Sequence, residues 1–466
     1  MAVCRRNNRW MTTTLQGRRW LMERRLAAVD VNDADELERL LSCQRSFSRP
    51  ELTSALQNAV LKKSDRYSRC VDLLLSRGAN ADGIDGSKAP FVTMAADAGC
   101  IKVLSLLTTA QCDVNQRRRD GATALHRAAV NNHVVCLRHL LCASADPDVV
   151  DSHGRSALLV GTQADNVDAM AELLSRGADT GLEDDKGRTA AHWAVFHQNM
   201  DAIRLLLAAG ANVNVRDSRG FSPLMIAAQQ GNTDMVEILI NNDADTDLET
   251  SEKETALLLA AANNHFACVR HLVDVGADVN ASNIRRETAL LHAVHDPSAA
   301  RHLLRAGADP NVSTVEHVSP LSVAVHNGYI DVIICLLQAN CDPTVAGPTG
   351  RPIQTAIYSG TLATVKLLFR ALVARGNDTR WLQEYLDDEN MRRQAALHGD
   401  VREVVLWLRQ QLYLKEHEPS NLNQCCRHVI RDTIGSRALT RKVDDLPLPT
   451  TIRNYLKLDE LVAICG

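Results

Sequence analysis

The side chains in this sequence that could do chemistry are 13 cysteines and 16 histidines, scattered along 466 residues. Only Cys425 and Cys426 are adjacent, and no C-x-x-C pair accompanies the histidines, so the spacing gives no support to a zinc site. The odd number of cysteines favours free thiols in a reducing compartment. The sequence contains neither a Gly-rich phosphate-binding loop nor a pair of carboxylates with the spacing of a catalytic motif. The sequence therefore predicts a protein that is not an enzyme and that has no cofactor and no bound metal.

Two short motifs near the C-terminus are typical of binding. Leu422, Cys426 and Ile430 are spaced i, i+4, i+8 behind helix-start residues at 419–421, so they would project from one face of a short helix. Burying Leu422 or Ile430 would contribute roughly 1.5–3 kcal/mol each. The second motif is the extended, proline-fixed segment Leu446, Pro447, Leu448 and Pro449. Alone, the helix motif is more often part of a core, but the ordered pair favours docking to partners.

An internal repeat must position these motifs. The tetrapeptides that open a helix begin at Thr123, Ser156, Thr189, Ser222, Thr255, Thr288, Ser319 and Arg351, with spacings of 33, 33, 33, 33, 33, 31 and 32 residues. A turn of the type Gly-Ala-Asp/Asn recurs in step, for example at 177–179, 210–212, 276–278 and 307–309. Such a period indicates a stacked repeat array of helix pairs.

The residues of each repeat have recognisable roles. Thr123 would cap the first helix, while Leu125, Ala128 and Ala129 would face the neighbouring repeat. Glycine ends the second helix because it adopts the left-handed conformation at little cost. The repeat at 283–313 is two residues short, and Asp296-Pro297 stands at its inter-helix turn. This predicts either a trimmed turn with a second helix that begins at the proline, or a kink in the array.

This pattern resembles the ankyrin repeat, and the tail resembles a SOCS box, so the chain as a whole is similar to the ankyrin-repeat and SOCS-box family over about residues 21–460. The resemblance implies an all-α fold, with an ankyrin solenoid of helix pairs and hairpin loops followed by a small helical SOCS box. We expect a basic tail at 1–20, about ten repeats at 21–380, an atypical terminal repeat with capping helices at 381–418, and the SOCS box at 419–466.

The resemblance also implies partners. Leu422, Cys426 and Ile430 would be the BC-box that binds Elongin C together with Elongin B, and residues 446–449 would be the cullin box that selects Cullin-5 and its RING subunit. The chain would then be the substrate-recognition adaptor of a ubiquitin ligase that promotes proteasomal degradation. The alternative is an interaction scaffold, in which Leu422, Cys426 and Leu446 pack inward on residues 381–412.

The family implies that target proteins bind the helix face of the array. With only 4% aromatic residues, Trp193 and Phe196 are notable at the outward positions of one repeat. Together with His197, Phe221 and Ile226 they form our expected substrate-binding set. The competing interpretation is that the two rings are ordinary packing over the neighbouring helix. Histidines 292, 295 and 326 fall on the same predicted face, and we expect surface residues without a function there, with a metal-binding or pH-sensing role as the alternative. Arg117–Arg119 is either a solvated charge run or a contact for an acidic degron.

Composition limits the remaining options. A net charge of −4 argues against nucleic acid as a partner. The longest apolar runs, such as 257–262, fall far short of the roughly 20 residues that cross a bilayer. The arginine-rich first twenty residues favour a solvated tail over a targeting signal. We therefore expect a cytoplasmic protein, with a nuclear location also open, that does not contact membranes.

Overall fold

The computed structural model describes residues 23–24, 27–42 and 48–417. Within that part of the chain, every regular element is an α-helix or a short 3₁₀-helix, and the extended contacts are three isolated bridges. The Leu422 helix motif and the 446–449 segment lie outside the described residues. The described residues form two compact units, one up to residue 323 with 338–340 and the other of residues 324–337 with 341–417.

The first unit consists of helix pairs. Its first part contains α1 (Ala34–Ser42), α2 (Arg49–Leu61), a 3₁₀ turn (Asp65–Tyr67), α3 (Ser68–Ser76), α4 (Phe91–Asp97), α5 (Ile101–Thr109), α6 (Ala124–Val130) and α7 (Val134–Cys142). It continues with α8 (Ala157–Gln163), α9 (Val167–Ser175), α10 (Ala190–Phe196), α11 (Met200–Ala208), α12 (Pro223–Gln230) and α13 (Thr233–Ile240). Its last part contains α14 (Ala256–Ala262), α15 (Phe266–Val275), α16 (Ala289–His292), a 3₁₀ turn (Ala293–His295) and α17 (Pro297–Arg305).

Two helices, α18 (Pro320–Asn327) and α19 (Ile330–Gln338), cross the division between the units. The second unit continues with α20 (Pro352–Tyr358), α21 (Leu362–Ala374), α22 (Arg380–Asp387), α23 (Glu389–Leu397) and α24 (Gly399–His417). Its core includes Leu368, Leu382, Leu386, Val404 and Leu408, all buried. The last three helices occupy the region for which the sequence predicted an atypical terminal repeat.

Small residues let the first helices of successive repeats pack side by side, so that α4, α6, α8, α10, α12, α14 and α16 form a continuous row. Leu125, Ala128 and Ala129 are at most 1% exposed, as the repeat pattern predicted. The ankyrin-type solenoid is thereby confirmed.

The hairpins that join the repeats form a ladder of their own. The Asp185 N–H donates to the His153 carbonyl at 2.9 Å, and the Ser218 N–H donates to the Lys186 carbonyl at 2.8 Å. A single backbone bond of this kind links each hairpin to the next from residue 120 to residue 315. Because such bonds join only adjacent repeats, the array is stabilised by nearest-neighbour contacts.

The short repeat has the trimmed turn that its sequence predicted. Helix α16 is only four residues long and continues as a 3₁₀ turn, and α17 begins at Pro297. The Asp296 carboxylate caps α17 by accepting from the Ser298 and Ala299 N–H groups at 2.7 and 3.3 Å. Proline at the first helical position costs nothing here, because that position has no intrahelical acceptor for an N–H.

Candidate partner-binding face

Three positions recur beside the first helix of each repeat in the first unit, and their exposure differs from repeat to repeat. The first position precedes the N-cap and the second follows it by four residues. In the repeat whose N-cap is Thr189 these are Arg188 and Trp193, and the Arg188 guanidinium carbon lies 4.2 Å from the centre of the Trp193 ring. The residue seven positions after the N-cap, such as Phe196, lies at the far end of the helix. We call the surface formed by these three positions the first-helix face.

Two different caps hold the first helices. Ser156 and Thr255 use their hydroxyls to accept from the N–H of the third helical residue, at 3.3 and 3.4 Å. In the repeats that begin at Thr123 and Thr189, a histidine at that third position bonds back to the cap, with its Nδ1 2.9 Å from the threonine hydroxyl. The Thr189 N–H donates to Nδ1 of His192 at 3.1 Å, and Nε2 of His192 donates to the Phe221 carbonyl at 3.0 Å.

The His192 ring therefore bonds its own repeat to the next one while it is 1% exposed. Because Nδ1 accepts a backbone N–H, the neutral tautomer with its proton on Nε2 is the one that fits. Burial lowers the pKa of His192, although the Phe221 carbonyl and three carboxylates oppose that effect. His126 repeats this arrangement, with Nε2 2.8 Å from the Arg155 carbonyl oxygen. This role was not predicted from the sequence, although a histidine three residues after a threonine is the spacing of a capping box, which the structure shows at both sites.

The expected substrate-binding residues fall into an exposed and a buried group. Trp193 lies edge-on to Phe196 with ring centres 5.7 Å apart and an interplanar angle of 78°, and it stacks on His197 at 6.1 Å. Phe196 is 56% exposed, whereas Trp193 and Ile226 are half-buried. Phe221 is only 8% exposed, and its ring lies under the Arg219 guanidinium. Phe221 therefore offers little surface to a partner, because a residue before the N-cap also packs against its own hairpin.

Polar contacts fix the orientation of this aromatic cluster. The Nε2 of His197 lies 3.0 Å from the Gln163 carbonyl of the preceding repeat. The Gln230 amide of the following repeat donates to the Phe196 carbonyl at 2.9 Å. The Trp193 Nε1 is buried and has no acceptor among the described residues. The cluster is thus held by both neighbouring repeats, which is what a preorganised contact surface requires.

An open pocket of about 400 Å³ adjoins the cluster through Gln163, and Arg127, Val130, Arg155 and Val160 also line it. Its arginines are paired: Arg127 contacts Asp97, and Arg155 lies 2.7 Å from the Asp151 carboxylate. The pocket and the aromatic cluster form one surface that could accept a polypeptide segment.

The predicted surface histidines have separate surroundings. His292 lies 3.7 Å from Glu287, and burial lowers the pKa of His292 although Glu287 opposes that effect. His295 contacts the Phe266 ring at 5.3 Å, and His326 belongs to the second unit. No group of three residues suited to hold a metal ion occurs between residues 23 and 417 where the structure describes the chain. In the same part of the chain, none of the helices combines the length and apolar character that crossing a membrane requires.

Known proteins share parts of this chain. Three overlapping copies of the family model for ankyrin repeats match residues 92–184, 158–250 and 224–314, and the SOCS box model matches residues 418–457. SH3 and multiple ankyrin repeat domains protein 1 of Homo sapiens is 31% identical over 107 residues, which is 23% of this chain and 5% of that protein. The proteins of the same name from Mus musculus and Rattus norvegicus match equally, so the match spans a small part of these relatives' length.

Among solved structures, the ankyrin repeat domain of Bcl-3, described as a unique member of the IkappaB protein family, is 25% identical with a TM-score of 0.42. That similarity covers 46% of this chain and 96% of the Bcl-3 chain. The two family models account for the repeat period and for the tail motifs in the order in which the sequence carries them. With ankyrin repeats followed by a SOCS box, the chain matches the ankyrin-repeat and SOCS-box family.

Proposed function

We propose that this chain is the substrate-recognition subunit of an Elongin–Cullin–SOCS-box ubiquitin ligase, with Cullin-5 as its cullin. The observation that carries the proposal is the SOCS box model at residues 418–457 behind an ankyrin array. The array supplies an exposed aromatic surface at Phe196, and large exposed rings are enriched where proteins bind one another. Ubiquitin transfer itself would be done by the recruited RING subunit and its conjugating enzyme.

In this function the chain contributes proximity. Holding a target protein on the array while the SOCS box holds the ligase raises the effective concentration of the target's lysines near the charged conjugating enzyme. Ubiquitinated targets would then be degraded by the proteasome. The ligase would work in the cytoplasm or the nucleus.

Within the SOCS box we assign Leu422, Cys426 and Ile430 to the Elongin C contact, and Leu446–Pro449 to the Cullin-5 contact. The first test is capture of Elongin B/C by the full chain compared with Leu422→Asp plus Cys426→Asp. Burial of one leucine contributes about 1.5–3 kcal/mol, so the double variant should bind at least tenfold more weakly. Leu406→Asp is the matched control, because Leu406 is a 59% exposed leucine of α24. Failure of the wild-type chain to capture Elongin C would refute the proposal.

The second test separates the two contacts. Leu446→Ala with Pro447→Ala should lose Cullin-5 and retain Elongin B/C, because only the proline-fixed segment is changed. Loss of both partners would contradict this division.

The scaffold alternative makes a different prediction for the same variants. If Leu422 and Cys426 packed inward on helices α22–α24, replacing them with aspartate would expose the α22–α24 backbone. Hydrogen exchange of residues 380–412 would then become faster with no change in Elongin capture. The adaptor proposal predicts unchanged hydrogen exchange of residues 380–412 and weaker Elongin capture.

A further inference from the structure

One position of the first-helix face changes charge along the array. It is the residue before the N-cap, and in five successive repeats it is Arg155, Arg188, Phe221, Glu254 and Glu287. Cations therefore stand at one end of this series and anions at the other. The two charges differ in how the protein compensates them.

The arginines are paired inside the protein. The Asp184 side chain is 2% exposed and accepts from the N–H groups of Lys186 and Arg188 at 2.9 Å each. The Arg188 Nε donates to the Asp184 carboxylate at 3.0 Å, and Nη2 lies 2.8 Å from it. The remaining nitrogen, Nη1, has no acceptor among the described residues. Arg188 is 26% exposed, so its free N–H groups face solvent above Trp193.

The two glutamates are compensated differently. The hairpin position that holds Asp184 in the arginine repeat holds Thr250 and Asn283 in the glutamate repeats. Glu287 accepts from the Asn283 amide at 2.7 Å and lies 3.9 Å from Arg285. Across the described chain, no cationic group lies within 4 Å of the Glu254 carboxylate. Burial raises the pKa of Glu254, and the carboxylates of Glu252 and Glu287 raise it further, while Arg285 and the Thr250 hydroxyl lower it. The negative charge at Glu254 is therefore one that an external cation would stabilise.

Apolar side chains fill the space between the two charges. Trp193, Ile226 and Leu259 occupy equivalent positions on α10, α12 and α14, four residues after each N-cap. Trp193 and Ile226 are half-buried and contribute apolar surface, whereas Leu259 is only 4% exposed and underlies it. Phe196 rises at one edge of this surface with 56% of its side chain exposed.

The spacing of the repeats sets the separation of the charges. Arg188 precedes α10 and Glu254 precedes α14, and α12 packs between those two helices. Neighbouring packed helices lie about 8–10 Å apart, so Arg188 and Glu254 stand roughly 16–20 Å apart. An extended chain rises about 3.3 Å per residue and covers that distance in about five or six residues.

We propose that the first-helix face binds an extended segment of the recruited protein that carries an acidic side chain over Arg188, a basic side chain over Glu254 and an apolar side chain between them. The acidic and basic residues are about five or six positions apart. This inference rests on the proposed function, since it names the chemistry of the segment that the ligase would recruit. Charge complementarity is the argument for this occupant, because it satisfies both the free guanidinium N–H groups of Arg188 and the Glu254 carboxylate, which has no ion pair within 4 Å among the described residues.

The test uses the full chain, captured on a surface, and a library of random twelve-residue peptides displayed on phage. We expect selected peptides to share an acid and a base five or six residues apart, with an aromatic or branched aliphatic residue between them. A synthetic peptide of that sequence should bind at least tenfold more tightly than the same peptide with its acid and base exchanged. Selection without this charge spacing, or equal binding of the exchanged peptide, would overturn the proposal.

Variants of the chain locate the contact. Glu254→Lys should weaken the synthetic peptide about tenfold and should favour selection of an acid at that end. Arg188→Gln keeps an amide beside the buried Asp184 and should abolish the preference for an acid at the other end. The matched controls, Glu237→Lys on α13 and Arg204→Gln on α11, change the same charges on exposed residues of second helices and should not affect the peptide.

Two measurements keep the outcome interpretable. Thermal unfolding of each variant checks that it is folded. Glu254→Lys leaves the Arg188–Asp184 pair unchanged. The site can therefore be tested with Glu254→Lys even if Arg188→Gln does not fold. Equal weakening by the control variants would overturn the proposed site. Elongin B/C capture by the same preparations should be unchanged, so loss of that capture would refute the ligase function and not the peptide site.

Discussion

The histidine caps allow a quantitative prediction. In His192→Leu, the Thr189 N–H loses its acceptor on Nδ1, and the Phe221 carbonyl loses the Nε2 donor. Both groups lie in a buried site, since Thr189 and His192 are each 1% exposed. The substitution should therefore loosen the repeat that begins at Thr189 and its junction with the following hairpin.

The magnitude follows from the Thr189 N–H, which is left without an acceptor, whereas the Phe221 carbonyl keeps the Asp217 N–H at 2.9 Å. A buried N–H without a partner costs about 1–3 kcal/mol. We expect a value near the lower end, about 1–2 kcal/mol, because the repeats that begin at Ser156 and Thr255 already accommodate Leu159 and Leu258 at this position. The leucine thus fits sterically, and the loss is one of hydrogen bonding and not of packing.

The effect should depend on pH with a definite sign. Burial holds the pKa of His192 below the value of about 6.5 expected in the unfolded chain. The stabilisation by neutral His192 is therefore fully present above about pH 6.5 and is lost as the pH falls, because a proton on Nδ1 would oppose the Thr189 N–H. The difference between wild type and His192→Leu should shrink between pH 7.5 and pH 5.

Hydrogen exchange measured by mass spectrometry is the appropriate assay, because a repeat array can open locally without unfolding as a whole. Peptides covering residues 189–221 should exchange about 5- to 30-fold faster in the variant at pH 7.5, which corresponds to about 1–2 kcal/mol. His153→Leu is the control, since that histidine side chain is 59% exposed. Unchanged exchange at pH 7.5, or a difference that is the same at pH 5, would refute the capping role.

Two further substitutions test the hairpins. Gly220→Ala should destabilise the array more than Gly210→Ala. Both glycines have positive φ, so either alanine costs about 1–2 kcal/mol in backbone strain. Only at Gly220 would the new Cβ also clash, because it would lie 2.9 Å from Cα of Thr250. Denaturant titration that ranks the two equally would contradict this. Burial alone would raise the pKa of Asp184, but hydrogen bonds from the Arg188 backbone and guanidinium hold it below its usual range. Asp184→Asn should therefore cost about 1–3 kcal/mol at pH 7, with a difference from wild type that begins to shrink only as the pH falls below about 4, as thermal unfolding over that pH range would show.

The sequence determined the repeats well because one spacing carries several constraints at once. Thr123, Ser156 and Thr255 could be identified as helix starts, since an N-cap hydroxyl and the apolar residues behind it recur at the same interval. Proline at 297 fixed the start of a helix for a similarly local reason. Local rules of this kind do not depend on which repeat is the neighbour.

The candidate binding face was less predictable, because it depends on contacts between repeats. The sequence placed Phe221 beside Trp193 and Phe196, but did not reveal that Arg219 covers the Phe221 ring. It also did not reveal that His192 reaches the following hairpin. These are packing facts that a helical period cannot supply, since the period gives the face of a side chain and not what covers it.

Residue types vary among the repeats at some positions and not at others, and this difference indicates which positions could determine specificity for a partner. The N-cap is Thr or Ser in seven repeats from Thr123 to Ser319, because its hydroxyl or its histidine partner holds the helix start. The adjacent position before the N-cap is alanine, arginine, phenylalanine, glutamate or valine in the same repeats. A position that varies this much, on a surface that both neighbouring repeats hold rigid, can be matched to a partner. Glu254→Lys leaves the buried Asp184 pair intact, so it should alter which segments bind far more than it alters the array.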